Sequence, residues 1–466
     1  MRAIKLTLVF SLLLVALLWA LADSRLWDAS SPYTVRAALI QLSGLLALAC
    51  MSLALVLAAR PRWPERPLGG LDKMYRLHKW LGVGALFFSL LHWLFKNGFR
   101  PAIQWGWFEP GARPPRQPPV DVVDTFLHRW RHDAEALGEW AFYGVVVLVV
   151  LALLRFFPYR LFYKTHRIIA ALFLVLVMHA VVLLDYGYWT QPVGWLAAAL
   201  MAAGSVAAVL LLLRATNSGR QVWAKVVGLT HFPGVESLEI ELETSPGWPG
   251  HRPGQFVFAM SNASEGPHPY TIASAWKPHA ARITIIAKAL GDHTRRLPQT
   301  LKPGQAVRIE GPYGDFTFDD GMPRQIWVAG GIGITPFVAR MDALADAKAN
   351  VDANANGNGN GNGNGNSHPA TPPAIDLIHV TTEVDDAALA RLRARAEAAG
   401  VRLHLLIRAR DGRLNGERLR ALVPAWREAS LWFCGPSALG EALRKDLAAH
   451  GFPVARHFHF ELYRMR

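Results

Sequence analysis

Apolar residues are spread unevenly along the 466-residue chain. Before about residue 214 they gather in six stretches, near 4–22, 35–58, 75–95, 138–157, 163–184 and 193–213. Each is close to the roughly 20 residues a helix needs to cross a bilayer, so a membrane six-helix bundle is expected. Beyond residue 214 the texture changes. Residues 220–318 carry short alternating runs (VWAKVVGL, SLEIELE, QFVFAM, RITIIAK, AVRIEG) between Gly and Pro turns, the pattern of an antiparallel β-barrel. From residue 325 the order becomes strand, glycine turn, helix: QIWVAG, GIGITP, FVARMDALADAKA, then IDLIHV, VRLHLLI and SLWFCG. That order predicts an α/β domain with a parallel sheet. The expected domains are therefore 1–217, 218–320 and 321–466. An Asn/Gly-rich tract at 352–373 interrupts the last of them; it cannot bury a core, so a disordered insert is expected there.

Charge refines the picture. The net charge of +14 would suit nucleic acid if it formed a basic and aromatic surface module, but it does not. Arg60, Arg62, Arg66, Lys73, Arg76 and Lys79 precede the third apolar stretch, and Arg155, Arg160, Lys164 and Arg167 lie between the fourth and fifth. This positive-inside pattern places those loops, and with them both termini, in the cytoplasm. A bacterial inner membrane is the expected location, the lipid bilayer the expected surrounding, and nucleic acid is excluded as a partner. The first stretch ends WALAD, where Ala20 and Ala22 mimic a signal-peptidase site. The run is long for a signal core, and a retained span is expected. Only Cys50 and Cys434 occur, in different environments, so no disulfide framework is indicated. The loop from Lys96 to Leu137 carries Trp105, Trp107, prolines from Pro110 to Pro119 and the stretch His128-Arg129-Trp130-Arg131-His132. It reads as an irregular solvated loop with interface aromatics, or as a cap that admits an anionic acceptor.

Four histidines carry the chemistry of the membrane half. His78 and His92 share the third stretch; His166 and His179 share the fifth. Ionisable side chains inside a bilayer are costly and usually functional, and a neutral imidazole is a common axial ligand of haem iron. Fourteen residues on an ideal helix rise roughly 21 Å and return to within about 40° of the same face. The thirteen-residue step rises roughly 20 Å but ends about 140° away, so the second pair needs a bend, a bulge or offset haems. The two stretches run in the same direction. His78 therefore pairs with His166 on one side, and His92 with His179 on the other. A lone histidine satisfied by a neighbouring helix would be unremarkable, but four in two matched pairs are not.

This H-x13-H and H-x12-H pattern in six spans resembles the ferric reductase and NADPH oxidase superfamily of transmembrane flavocytochromes b, whose four histidines carry two b-type haems. The resemblance continues downstream. His268-Pro269-Tyr270-Thr271-Ile272-Ala273-Ser274 is similar to the family's H-P-[FY]-T-[IV]-[AS]-S flavin signature. It implies Tyr270 and Thr271 along the isoalloxazine of FAD, Thr271 near N5, and His268 fixing the loop, with Pro269, Ile272 and Ser274 part of the same segment. Lys288-Ala289-Leu290-Gly291-Asp292-His293-Thr294 resembles the second flavin segment. There Gly291, Asp292 and Thr294 would open a helix towards the pyrophosphate. Gly311-Pro312-Tyr313-Gly314 follows, bringing Gly311, Pro312 and Gly314 into the cofactor site. Gly330-Gly331-Ile332-Gly333-Ile334-Thr335-Pro336 lies between a strand and an apolar helix, where glycines let a dinucleotide phosphate approach backbone N–H groups. It resembles the family's nicotinamide-nucleotide turn. Cys434-Gly435-Pro436 resembles the segment where nicotinamide meets flavin, and Tyr463 matches the terminal aromatic that shields the flavin ring, with Phe460 in reserve. One departure concerns the nucleotide. After the second strand the chain reads Thr382-Glu383-Val384-Asp385. A carboxylate there suits a ribose diol over a 2′-phosphate, which favours NADH, while Arg413 leaves NADPH open.

Taken together, the resemblance implies an enzyme that passes electrons from cytosolic NAD(P)H through FAD and two b-type haems to an acceptor beyond the membrane. Thr271, Cys434 and Tyr463 would lie on the hydride path. Ferric chelate ranks first as that small-molecule acceptor, dioxygen (reduced to superoxide) second and a periplasmic redox partner third. Two other readings remain. One is a membrane-anchored ferredoxin-type flavin reductase without haem. The other is a proton or metal transporter regulated by a nucleotide-sensing domain.

Overall fold

The computed structural model describes residues 2–26, 31–107, 109, 118–154, 157–214, 218–263, 265–356 and 373–461. It divides into two compact units, Met1–Ser218 and Gly219–Arg466.

The first unit is helical: α1 Arg2–Ala22, α2 Pro32–Ala58, α3 Leu71–Asn97, α4 Val122–Leu153, α5 Ile168–Leu183 and α6 Pro192–Leu212. Among the described residues five helical segments are long and apolar enough to cross a membrane, and α3 is not one of them. It has the length, 27 residues, but Asp72, Lys73, Arg76, Lys79 and its two imidazoles lower its mean hydropathy. Helix α2 is the centre of the unit and packs most extensively against α3. Its buried face is rich in small residues, among them Ala38, Ala47, Ala49, Cys50, Ser52 and Ala54, which let helix backbones approach closely where lipid supplies no hydrophobic drive.

Helix α1 is built into this bundle, burying Ile4, Val15 and Trp19. The chain that follows it is tied down by charge. Arg25 pairs with Asp23 at 2.7 Å and with Asp185 at 2.9 Å, and the Tyr188 hydroxyl donates to the buried Asp23 carboxylate. Cations also close two helix C-termini, where the last carbonyls have no helical partner. Arg36 donates to Phe95 O and Lys96 O, and Arg167 to Leu211 O and Leu212 O.

The stretch expected as a loop from Lys96 to Leu137 differs from the sequence reading. The helix expected from residue 138 starts at Val122, within the stretch expected as loop. Asp121 caps it, its carboxylate accepting from Asp124 N at 2.9 Å. Good helix formers in DAEALGE then carry the helix through. His128, Arg129, Arg131 and His132 are thus exposed on a helix, and Phe99–Gln104 forms a further short helix.

The second unit has two sheets. Strands β1 Gln221–Phe232, β2 Ser237–Thr244, β3 Phe256–Met260, β4 His268–Thr271, β5 Arg282–Lys288 and β6 Ala306–Tyr313 form an antiparallel sheet in the order β4-β3-β6-β1-β2-β5. Helix α7, Asp292–Thr300, follows β5. The edge strands meet at a single bridge, Ile272 to Ile285. Pro269 sits in edge strand β4, the place where a residue without an N–H costs no ladder bond.

The second sheet is parallel: β7 Arg324–Gly330, β8 Ala374–Thr381, β9 Arg402–Ile407, β10 Ser430–Cys434 and β11 Phe458–Glu461, in the order β11-β10-β7-β8-β9. Helix α8 Thr335–Asn356 follows β7, α9 Asp386–Ala399 follows β8 and α10 Ser437–Ala449 follows β10. α8 runs into the Asn/Gly tract as far as Asn356; residues 357–372 lie outside the described residues.

Candidate functional site

In the membrane unit the structure assembles both expected histidine pairs. The ring centroids of His78 and His166 are 5.9 Å apart and those of His92 and His179 are 6.3 Å apart. Near the second pair the helical ladder is interrupted at His166 and Arg167, although both keep right-handed helical dihedrals. A short helix, Tyr159–Thr165, ends at His166, and α5 begins only at Ile168. His166 thus stands at a tightened turn, after which Ile169 N and Ala170 N bond three residues back, and its ring meets that of His78.

Hydrogen bonds fix the imidazoles. His78 Nδ1 is 2.8 Å from Ala54 O, His92 Nδ1 is 2.9 Å from Ile40 O, and His179 Nδ1 is 2.8 Å from Ala134 O. A carbonyl oxygen only accepts, so each Nδ1 carries the proton and each neutral ring presents a bare Nε2. This is the outer-shell arrangement that orients a metal-ligating histidine. A metal–imidazole bond of about 2 Å plus a ring radius of about 1.2 Å, taken on both sides, spans about 6 Å. Both pairs have that spacing, so the donor set fits two six-coordinate haems. The sequence reading missed these carbonyls because a backbone acceptor leaves no side-chain signal.

In the second unit the nucleotide motifs converge. Strand β7 lies between β8, reached through α8, and β10, reached by the later return of the chain. This is the topological switch point of the sheet, where open α/β folds bind ligands beyond the strand carboxyl ends. Gly330 ends β7 there with Gly331 after it, and Cys434 ends β10 with Gly435 and Pro436 after it. A Cβ on Gly333 would stand 2.1 Å from Cys434 O. Thr335 is buried, and its hydroxyl donates to Ile332 O at 2.5 Å, closing the turn before Pro336. Cys434 is fully buried, and its thiol donates to Glu461, with Sγ 3.8 Å from Oε2. Glu461 escaped the sequence reading because only strand pairing of β10 with β11 brings it there. Tyr463 lies outside the described residues, and Phe460 stacks on Phe433 at 5.2 Å.

The flavin-like segments gather beside β3. In β4, Tyr270 and Pro269 pair with Val257 and Phe258. Thr271 is buried, Ile272 is part of the sheet core, and the Ser274 hydroxyl accepts from Thr284 N at 3.0 Å. Ala273 packs in the same cluster as Cys434, Trp327 and Trp432, which joins this segment to the nucleotide sheet. Thr294 caps α7, its hydroxyl accepting from Leu290 N and Gly291 N at 3.1 Å each, with Asp292 in the first turn. Gly311 and Pro312 lie near the end of β6 and Gly314 just past it, with Gly311 and Gly314 beside Phe256.

His268 and His293 stack at 4.1 Å with ring planes 7° apart. Together with Glu265 they offer three ligand atoms within 4.8 Å of one another. Parallel stacked rings cannot both aim an in-plane lone pair at one ion, so this group is a stacked pair and not a metal centre. Burial and the neighbouring His293 push His268 down to about 4, and burial pushes His379 in β8 down to about 4. Unfolded histidines titrate near 6.5, so between those values the unfolded chain binds more protons and stability falls with falling pH. In full-length protein, the denaturant midpoint of this unit is expected to drop as pH goes from about 6.5 to about 4. His379→Leu should make that slope shallower.

Glu383, the carboxylate that follows β8, is paired with Lys288 at 2.5 Å. Asp385 caps α9 by accepting from Ala388 N at 3.0 Å and also accepts from Gly234 N. Both carboxylates are engaged, which weakens the case against a 2′-phosphate.

Comparison with known proteins bears on both units. Residues 43–177 match the family described as ferric reductase like transmembrane component. The membrane unit carries a ferric reductase-like transmembrane domain. The match takes in His78, His92 and His166, and His179 lies two residues past the end of the ferric reductase-like match. Over 326 residues the chain is 26% identical to ferric reduction oxidase 8, mitochondrial, of Arabidopsis thaliana, covering 65% of this chain and 39% of that protein. Over 220 residues it is 29% identical to the glycine betaine monooxygenase reductase subunit of Pseudomonas aeruginosa, covering 46% of this chain and 56% of that protein. It is also 24% identical over 216 residues to respiratory burst oxidase homolog protein E of Arabidopsis thaliana, covering 40% of this chain and 22% of that protein. The chain thus spans between about a fifth and just over half of these relatives.

Proposed function

We propose that this protein is a transmembrane NAD(P)H oxidoreductase that delivers electrons to an acceptor beyond the membrane, with ferric chelate ranked first. The observation that carries the reading is the pair of facing imidazole couples, each at the spacing of a bis-histidine iron site. His78 with His166 would hold one b-type haem, and His92 with His179 the other. His268, Tyr270, Thr271 and the turn at Gly291 would hold FAD, and the Gly330–Pro336 turn with Cys434-Gly435-Pro436 would hold the nicotinamide nucleotide. When bound, these cofactors supply hydride acceptance, conversion from two-electron to one-electron transfer, and a path through the apolar layer.

The chain's own part is positioning. The switch point sets the nucleotide turn against the end of β10, and Glu461 holds the Cys434 thiol in place. The carbonyls of Ile40, Ala54 and Ala134 hold three of the four imidazoles with Nε2 bare. Ferric chelate leads among acceptors because the family match and the relative matched over 326 residues both bear ferric reduction in their descriptions. The exposed Arg129 and Arg131 on α4 also suit an anionic chelate. By the positive-inside pattern both termini and the second unit lie in the cytoplasm, and α3 crosses as the sixth span.

The deciding measurement is anaerobic. NADH and then NADPH are added separately to detergent-solubilised protein supplied with FAD and haem, and the visible spectrum is followed. Reduction of a bis-histidine b-type haem by either nucleotide is the expected result. Bleaching of flavin alone, with no haem retained, would overturn the reading in favour of an anchored flavin reductase.

A further inference from the structure

The outer histidines are seated in a way that His78 is not. His92 donates to Ile40 O and His179 to Ala134 O, and four residues after each acceptor stands a glycine, Gly44 and Gly138. In an α-helix the carbonyl at position i accepts the N–H of position i+4. Each outer imidazole therefore binds the same carbonyl that the glycine's own N–H uses, and its ring occupies the notch left by the missing side chain. The distances show how closely. A Cβ on Gly138 would stand 2.0 Å from His179 Nδ1 and 2.5 Å from its Cε1, while one on Gly44 would stand 3.2 Å from both His92 Nδ1 and Cε1. For His78 the equivalent position is Ala58, four residues after the Ala54 carbonyl that it uses.

We propose that Gly138 and Gly44 are positioning residues that seat the outer axial ligands by admitting their rings to a helix carbonyl, Gly138 the more stringently. This rests on the two-haem reading above. A methyl group at position 138 meets a rigid ring and forces it to shift, which strains or lengthens the Ala134 bond that fixes the tautomer and raises ligand basicity. At position 44 the ring needs to give only a few tenths of an ångström, which lengthens the bond without abolishing it. A less basic ligand stabilises ferric iron less, so the outer potential should rise.

The test uses full-length protein expressed with added haem: G138A, G44A and, as control, G82A, whose Cβ on α3 would meet nothing within 4 Å. Haem per chain, low-spin electron paramagnetic resonance and midpoint potentials are measured alongside activity. G138A is expected to fall from two haems per chain to one, or to keep both with altered g values at one. G44A is expected to keep both, with one potential shifted upward, and G82A to match the parent. A G138A protein with two haems, parental g values and parental potentials would overturn the inference. If G138A fails to fold, unchanged potentials in G44A do so instead. A parent protein that holds no haem overturns the two-haem reading itself, a different result from either.

Discussion

Replacing His179 with leucine is expected to remove one of two haems and to reduce NAD(P)H-supported acceptor reduction by at least about 100-fold, since loss of a mere outer-shell partner of a metal ligand already costs about 10–100-fold. The membrane fold should survive the change. Leucine is apolar and suits a bilayer, and the Ala134 carbonyl that loses its imidazole partner still accepts the N–H of Gly138 within α4. The remaining pair, His78 and His166, meets 5.9 Å apart, and His78 bonds Ala54 O, a different carbonyl from the Ala134 O that His179 uses. Reduction of FAD by NAD(P)H should continue at the parental rate, because it depends on residues of the second unit. Haem per chain and stopped-flow flavin reduction separate the two effects. Acceptor reduction within a few-fold of the parent would show that electrons leave without the outer pair, and the transmembrane path would be wrong.

Gly333→Ala is expected to have an effect of similar size at the other end of the chain. The added methyl would meet Cys434 O at 2.1 Å and Cys434 C at 2.6 Å. Backbone atoms of a central strand cannot swing aside as a flexible side chain can. Strand β10 is paired on both sides, with β7 and β11, and Phe433 and Cys434 are fully buried. The turn must therefore move outward. A displacement of about 1 Å is enough to cost about 100-fold when it separates reacting groups, so NAD(P)H-driven flavin reduction should fall by about that factor. Chemical reduction by dithionite should proceed normally, which separates a misplaced nucleotide from a lost flavin. A rate within threefold of the parent would mean that nucleotide does not bind at this switch point.

The two predictions draw on different kinds of legibility. The histidine pairs could be read from spacing, because helix geometry fixes rise and rotation per residue and both steps rise by nearly the same amount. The same arithmetic showed that His166 and His179 do not share one face of an ideal helix, and the helical ladder is interrupted at His166 and Arg167. The glycine turn at residues 330–336 was readable because it needs small residues at fixed places between a strand and a helix. The parallel sheet was readable from the alternation of apolar runs with helical stretches.

Other features had no trace in the local pattern. Nothing around Ile40, Ala54 or Ala134 marks them as partners of histidines, since every residue has a carbonyl and only helix packing decides which one an imidazole meets. Helix α4 extends back to Val122 through a stretch whose mixed charges and aromatics read as loop, because the cap at Asp121 and local helix propensity outweighed the weak apolar signal. Glu383 looked free to meet a ribose until the fold set Lys288, 95 residues earlier, beside it. Glu461 reached Cys434 only through the pairing of β10 with β11. The sequence by itself determined which residues are candidates for chemistry and how far apart they stand along each element, because periodicity and turn chemistry are local. Which of them meet, and which backbone groups hold them, was decided by the tertiary structure, because such contacts join elements whose distance along the chain carries no record of their distance in space.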